Sequence, residues 1–173
     1  MITLQARQPA ETTIQSYEFS AQDFIGLLRG AFEKGASVRF AAAGFSMDPF
    51  IKDGDVVTLA PLPQRLKPGQ VAAAVSPANG LVIIHRVVKI ARGEALLKGD
   101  NLVKPDGWVR GDALLGVVAG VERGGAPWEL GITRHAALIA HLSRWNLLRA
   151  VARAGAIMLK LQNRTARTID APS

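Results

Sequence analysis

Hydrophobic residues follow a helical period near the start of the chain. Apolar side chains recur at this spacing between Phe24 and Phe32, directly after a capping pattern of Ser20 and Asp23. The spacing predicts one amphipathic helix over about residues 21–34, which ends at the following glycine. The residues before it are mixed and polar, and they predict an extended lead-in.

The pattern then changes to short apolar runs that are separated by proline and glycine, which is typical of β-strands. The runs predict strands over about residues 37–43, 55–60, 70–76, 81–91, 94–98 and 113–122. We therefore expect a mainly β fold with a coiled, barrel-like sheet, one N-terminal helix and a C-terminal helical appendage.

A shift in composition to alanine, leucine and arginine after residue 124 indicates a boundary. The predicted organisation is a lead-in with a helix over residues 1–36, a β core over 37–124 and a basic helical appendage over 125–173. Thr133 is a candidate cap for a helical region that runs to about residue 162, with an interruption near Ser143.

Most of the net charge of +7 lies in this appendage. Its basic residues between Leu130 and Ile169, where no acidic residue occurs, are Arg134, Arg144, Arg149, Arg153, Lys160, Arg164 and Arg167. One interpretation is a helix that packs on the core or on a second copy, as in a homo-dimer, with its basic face in solvent. Peripheral contact with an anionic membrane is another, and nucleic acid is not expected.

Composition limits the remaining classes. A content of 49% hydrophobic and 20% charged residues is enough to build a buried core. The absence of cysteine excludes disulfides and thiolate catalysis. The sequence shows neither a signal-peptide pattern nor an apolar run of membrane-spanning length. We expect a cytoplasmic protein, at most peripheral to a membrane, that uses no cofactor and no metal.

The first candidate for chemistry lies in the stretch GFSMDPFIKDGDVV, which begins at Gly44. A glycine permits a sharp turn there, and Pro49 suits the first turn of a short helix. Ser46 would then lie on a rigid loop near amide groups that can bind an oxyanion. A serine in such a turn can equally cap a helix or bond its own backbone.

A serine nucleophile requires a base and a group that orients the base. Strand alternation places His85 on an apolar face of the strand predicted over residues 81–91. It is either a hydrogen-bonded core histidine or a general base. Asp100 and Asp106 are candidates for the orienting carboxylate, and each can instead be an ordinary loop aspartate.

Five blocks in the order GFSMDPFIKDGDVV, GQVAAAV, IIHRVVKI, LLKGDNLVKPD and LLGVVAGV resemble type I signal peptidases and the related self-cleaving SOS-type repressors. In the common bacterial enzymes and the repressors the base is a lysine. In the archaeal and endoplasmic-reticulum branch it is a histidine followed by Arg-Val, with a Lys-Gly-Asp-Asn block downstream. His85-Arg86-Val87 and Lys98–Asn101 are similar to that branch. Lys89, about 13 Å along the strand from His85, is too far away to replace it.

The resemblance implies a signal-peptidase fold and assigns roles to several side chains. The implied catalytic residues are the nucleophile Ser46, the base His85, the acid Asp106 and a second carboxylate, Asp100. The implied oxyanion and substrate-binding positions are Gly44, Phe45 and Met47. The chain departs from the family at Gly44, where signal peptidases often have a serine that helps to form the oxyanion hole, and in showing no N-terminal membrane helix.

We therefore expect a serine endopeptidase that cleaves a precursor peptide or protein by Ser-His-Asp acyl transfer. Two alternatives remain open. The first is a catalytically weak peptide-binding or chaperone-like module on the same fold. The second is a regulator that cleaves itself, for which Ala41-Ala42 and Ala42-Ala43 are the candidate bonds, although they lie close to the nucleophile.

Overall fold

One antiparallel sheet of ten strands organises the part of the chain that this computed structural model describes, residues 2–5, 16–129, 132, 135–145 and 147. The strands are β1 Ile2–Gln5, β2 Ser16–Phe19, β3 Val38–Ala41, β4 Val56–Ala60, β5 Val71–Val75, β6 Val82–Ala91, β7 Glu94–Lys98, β8 Gly107–Val109, β9 Leu114–Arg123 and β10 Ala126–Pro127. The helices are α1 Ala21–Glu33, a 3-10 turn Gly111–Ala113, and α2 Ala136–Arg144. The strand order is β2-β1-β3-β4-β9-β5-β6-β7-β8, and β10 pairs with β9.

The long apolar runs are strands, as their pattern predicts, with ends that differ by no more than two residues. The fold is therefore mainly β. Strands β1, β2, β8 and β10 were not predicted, because they have between two and four residues each, which is too short for a hydrophobic pattern to identify a strand. The predicted lead-in contains β1 and β2, which pair with each other as an antiparallel hairpin.

The sheet is not closed into a barrel, which corrects the prediction. Strands β2 and β8 stand at opposite ends of the strand order and do not pair with each other. Closure requires the two outermost strands to pair in a continuous register. These strands have four and three residues, and local hydrophobic patterns contain no information about pairing between them.

Helix α1 forms as predicted, because its cap and its apolar face act together. The Ser20 Oγ accepts a hydrogen bond from the Asp23 amide at 3.2 Å, which satisfies one of the free N–H groups of the first turn. Phe24 and Leu28, four residues apart on one face, are fully buried. The Phe24 ring meets the edge of Phe40 with a centroid distance of 5.2 Å, which joins α1 to β3.

The first part of the predicted appendage packs on the sheet. Ile132 and Ile139 are buried in the same hydrophobic cluster as the α1 side chains, and Trp128 packs against that cluster. Helix α2 begins after His135, the residue in the N-cap position, and not after Thr133 as predicted. It ends at Arg144, next to the predicted interruption. The rest of the predicted helical region lies outside the described residues, with its basic side chains Arg149, Arg153, Lys160, Arg164 and Arg167.

Strand β6 is longer than its neighbours and is shared between them. It pairs with β5 from Val82 to Arg86, and with β7 from Arg86 to Ala91, with an irregularity between Val87 and Lys89. The edge of residues 82–85 that faces away from β5 is therefore not covered by β7. Among the described residues, no helix has the length and apolar character required to cross a membrane.

Candidate active site

The loop between β3 and β4 consists of consecutive turns and displays Ser46. Pro49 does not begin a short helix there, which corrects the prediction, since the Asp48-Pro49 peptide is cis and residues 47–50 form turns. Gly44 has a φ of +92°, a conformation that strains any residue with a Cβ. Its amide donates to Asp53 Oδ1 at 2.8 Å, which holds the start of the loop.

The imidazole of His85 lies between a hydroxyl and a carboxylate. The Ser46 Oγ is 2.8 Å from His85 Nε2, and the Asp106 Oδ2 is 2.6 Å from His85 Nδ1. With the ring proton on Nδ1, this nitrogen donates to Asp106 and the hydroxyl of Ser46 donates to Nε2. The histidine is buried. The arrangement is that of a Ser-His-Asp triad.

Two strand pairings bring these three groups together. His85 stands on β6 opposite Ala72 of β5, whose small side chain leaves room on that face. Asp106 comes just before β8, and its amide donates to the carbonyl oxygen of Leu97 on β7 at 2.9 Å. The β7–β8 connection therefore returns the carboxylate to the imidazole, although the two residues are 21 positions apart.

Asp100 is hydrogen-bonded to Arg86 and not to the imidazole, and its assignment as a second catalytic carboxylate stays a prediction. Its side chain accepts from Arg86 Nε at 2.9 Å and from Nη2 at 2.6 Å, and both side chains are fully buried. The guanidinium also donates to the carbonyl oxygen of Gly69 at 2.7 Å and lies 5.3 Å from the Phe50 ring centroid. The pair ties β6 to three loops around the site.

A second contact holds the loop of Ser46 from the side of residues 99–101. The Asn101 amide donates to the Ser46 carbonyl oxygen at 2.8 Å, and its Nδ2 donates to the Phe45 carbonyl oxygen at 3.1 Å. The backbones approach so closely that a Cβ on Gly99 would lie 2.7 Å from the Ser46 carbonyl oxygen. The absence of a side chain at this glycine therefore permits the contact that positions Ser46.

Asp55 and Arg123 hold the opposite side of the same loop. Arg123 Nη2 lies 2.7 Å from Asp55 Oδ2 and donates to the Pro49 carbonyl oxygen at 3.2 Å. Burial raises the pKa of Asp55, but hydrogen bonds from Arg123 and from the Lys52 amide outweigh it, so the pKa lies below its ordinary value of 3.8. The hydrogen bond with Asp55 also raises the pKa of Arg123.

A cleft of about 190 Å³ opens beside the triad. Segments 40–44 and 82–84 form its walls, and Ser46, Met47, Ile51 and His85 complete the lining. Gly44 and Met47 line the cleft, and Met47 also belongs to the buried core. Phe45 does not line the cleft, and its side chain is 69% exposed.

No protein-family model and no curated protein matches the chain. In the part of the chain that the structure describes, no three His, Asp or Glu side chains are grouped as they would be to hold a metal ion.

Sequence reasoning missed three residues that hold the site: Arg86, Asn101 and Arg123. A basic residue inside an apolar strand was the available signal for Arg86, since such a charge requires a buried partner. The block that contains Asn101 was recognised, but its contact with the serine loop depends on tertiary structure. For Arg123 the sequence offers no local signal, because its partner lies 68 residues away.

Proposed function

We propose that the chain is a serine peptidase that resembles the histidine branch of the type I signal peptidases. The observation that supports this most directly is the pair of short contacts at His85, 2.8 Å to Ser46 and 2.6 Å to Asp106, at the edge of a cleft. A carboxylate on Nδ1 fixes the tautomer and orientation of the ring, so that Nε2 can accept the proton of the hydroxyl as a general base.

The proposed reaction is acyl transfer. Ser46 Oγ attacks the carbonyl carbon of the scissile peptide bond while its proton passes to His85 Nε2. The tetrahedral intermediate collapses, the C–N bond breaks, and the leaving amine takes the proton from Nε2. Water then repeats the sequence on the acyl-enzyme, releases the acid and restores Ser46. Asp106 keeps the ring oriented and stabilises the imidazolium that forms in each half of the reaction.

The backbone amide of Ser46 is the proposed oxyanion donor. Within the described residues it donates to no acceptor of the protein. The amide of Gly44 is not free for this role, because Asp53 accepts its hydrogen bond. A serine hydroxyl at position 44, which signal peptidases often use, is absent, so the oxyanion would rely on the backbone.

The proposed substrate is an extended peptide or protein segment that adds to the uncovered edge of β6. Val87 exchanges backbone hydrogen bonds with residues 69 and 70 on the β5 side. By antiparallel alternation, the backbone groups of Val82 and Ile84 then point away from β5, toward the cleft. An added strand could satisfy them, as in other cases of β-augmentation. The apolar walls and modest volume of the cleft favour small apolar side chains near the scissile bond.

The experiment is acylation of the purified protein by p-nitrophenyl acetate, followed by release of nitrophenolate and by intact mass. We expect one acetyl group on Ser46, and none in Ser46→Ala or His85→Ala, with circular dichroism showing that both variants are folded. A wild-type protein that stays unlabelled would contradict the proposal and favour a peptide-binding module. Incubation with a mixed peptide library, read by mass spectrometry, then identifies the cleaved bonds.

Self-cleavage is less well supported by the geometry. The Ala42 amide donates to the Asp55 carbonyl oxygen at 2.7 Å, and the Ala42 carbonyl accepts from the Gly54 amide at 2.9 Å. Backbone hydrogen bonds that extend the β3–β4 pairing by one residue therefore hold Ala42 in place, which opposes movement of the adjoining peptide bonds to Ser46. A constant intact mass during incubation is the expected result.

A further inference from the structure

Two large apolar side chains are exposed on the outer side of α2, next to the exposed side chains of His141 and Arg144. On the inner side, Ile139, Ala140 and Ser143 are buried. On the outer side, Leu138 is 58% exposed, and Trp145, the C-cap residue seven positions later, is 61% exposed. Residues seven apart lie on the same side of a helix, so these two side chains form one patch, the α2 outer face.

This patch lies in the one strongly positive region of the chain. The Arg144 guanidinium is 5.6 Å from the Trp145 ring centroid. From residue 130 to residue 169 the sequence contains seven basic and no acidic side chains, whereas residues 1–129 contain 14 basic and 13 acidic ones. The apolar patch and the excess positive charge therefore occur in the same segment.

We propose that the α2 outer face docks on an anionic lipid surface. A leucine inserts below the headgroups, a tryptophan lies at their level, and arginines contact the lipid phosphates. Hydrophobic contact and charge together give stable peripheral binding where either alone is weak. This inference goes beyond the proposed peptidase function and does not depend on it.

The same observations disfavour two other occupants. A second copy docked on this face would bring an equal positive charge against it, and like charges across an interface oppose association. Nucleic acid would satisfy the charge, but it offers no hydrocarbon to an exposed leucine. An anionic bilayer satisfies both the apolar and the basic side chains.

The test is co-sedimentation of the full chain with vesicles of phosphatidylcholine alone and of phosphatidylcholine mixed with phosphatidylglycerol. We expect binding to the mixed vesicles only, weakened by added salt. Leu138→Gln combined with Trp145→Gln should lower the partition coefficient about tenfold or more, because both side chains lose their burial in lipid. Arg144→Gln should lower it about fivefold. Leu62→Gln, at an exposed leucine outside α2, is the matched control and should bind as wild type.

Tryptophan fluorescence gives an independent readout of which surface inserts. The emission should shift to shorter wavelength on mixed vesicles. Trp145→Leu should remove this shift, and its partition coefficient should stay within a few-fold of the wild-type value. The proposal would be overturned if the protein did not bind mixed vesicles, or if the double variant bound them as well as wild type. It would also be overturned by a dimer in solution that the double variant abolishes, or by binding to DNA without binding to anionic vesicles.

Discussion

Substitution of Gly99 by alanine tests whether the close contact of two loops positions Ser46. A Cβ at this position would lie 2.7 Å from the Ser46 carbonyl oxygen and 2.9 Å from Leu102 Cδ1. Ordinary contact begins at 3.4 Å, so the serine backbone would have to retreat by about 0.7 Å. The hydroxyl now lies 2.8 Å from His85 Nε2. A retreat of that size along the hydrogen bond would take it beyond hydrogen-bond length.

We therefore expect Gly99→Ala to lower the rate of acylation by p-nitrophenyl acetate about 100-fold, the usual effect of a misplacement approaching 1 Å. Overpacking should also lower the free energy of unfolding by about 1–3 kcal/mol. Rates must therefore be compared well below the melting temperature, with the folded fraction measured by circular dichroism.

Gly111→Ala is the matched control for this experiment. A Cβ at Gly111 would meet no atom within 4 Å, and its φ is not positive, so both rate and stability should stay near wild type. Acylation of folded Gly99→Ala at the wild-type rate would refute the reasoning, because the contact would then not position Ser46.

Three further predictions follow from other contacts. Asp106→Asn should lower the acylation rate about 10⁴-fold, since the amide favours the wrong tautomer of the imidazole; a loss below tenfold would contradict its role. Arg86→Met should lower the free energy of unfolding in urea by about 3–5 kcal/mol, because it leaves the Asp100 carboxylate buried and unpaired. Arg39→Met, which removes an exposed ion pair, is the control for this variant and should lower the free energy of unfolding by less than about 1 kcal/mol. Asp55→Asn should lower the free energy of unfolding by about 2 kcal/mol at neutral pH. Because the pKa of Asp55 is lowered in the fold, its contribution is complete above the unfolded value of 3.8 and is lost as the pH falls through the folded pKa. The difference in unfolding free energy between this variant and wild type should therefore shrink in acid. A difference that grows below pH 3.8 would contradict the lowered pKa of Asp55.

The three side chains that the structure brings together at His85 were all singled out from sequence. A histidine on an apolar face, a serine in a glycine-flanked turn and an aspartate in a later turn are each visible locally. Their order also resembles a known arrangement of blocks. What the sequence does not contain is the register of the strands, which decides whether Asp100 or Asp106 meets the ring.

The fold likewise has elements that follow from local sequence and elements that depend on contacts between distant segments. Helix α1 and the long strands follow from periodicity, capping and turn residues, because those signals are local. The openness of the sheet and the short strand β8 depend on pairing between distant segments. The packing of Ile132 and Ile139 on the sheet was likewise hidden, because composition alone suggested a separate appendage after residue 124.

Adjacent side chains of β6 point to opposite faces of the sheet: His85 toward Ser46 and Arg86 toward the buried Asp100 carboxylate. A slip of the β5–β6 pairing by one residue would exchange these directions, because side chains alternate across a strand. The slip would place the Arg86 guanidinium beside the Ser46 hydroxyl and leave the buried Asp100 carboxylate without a counter-charge. If Ser46 reacts as proposed, a misfolded molecule of this kind would not be acylated, and the acetylated fraction of a refolding sample would measure the fraction of molecules with the correct register.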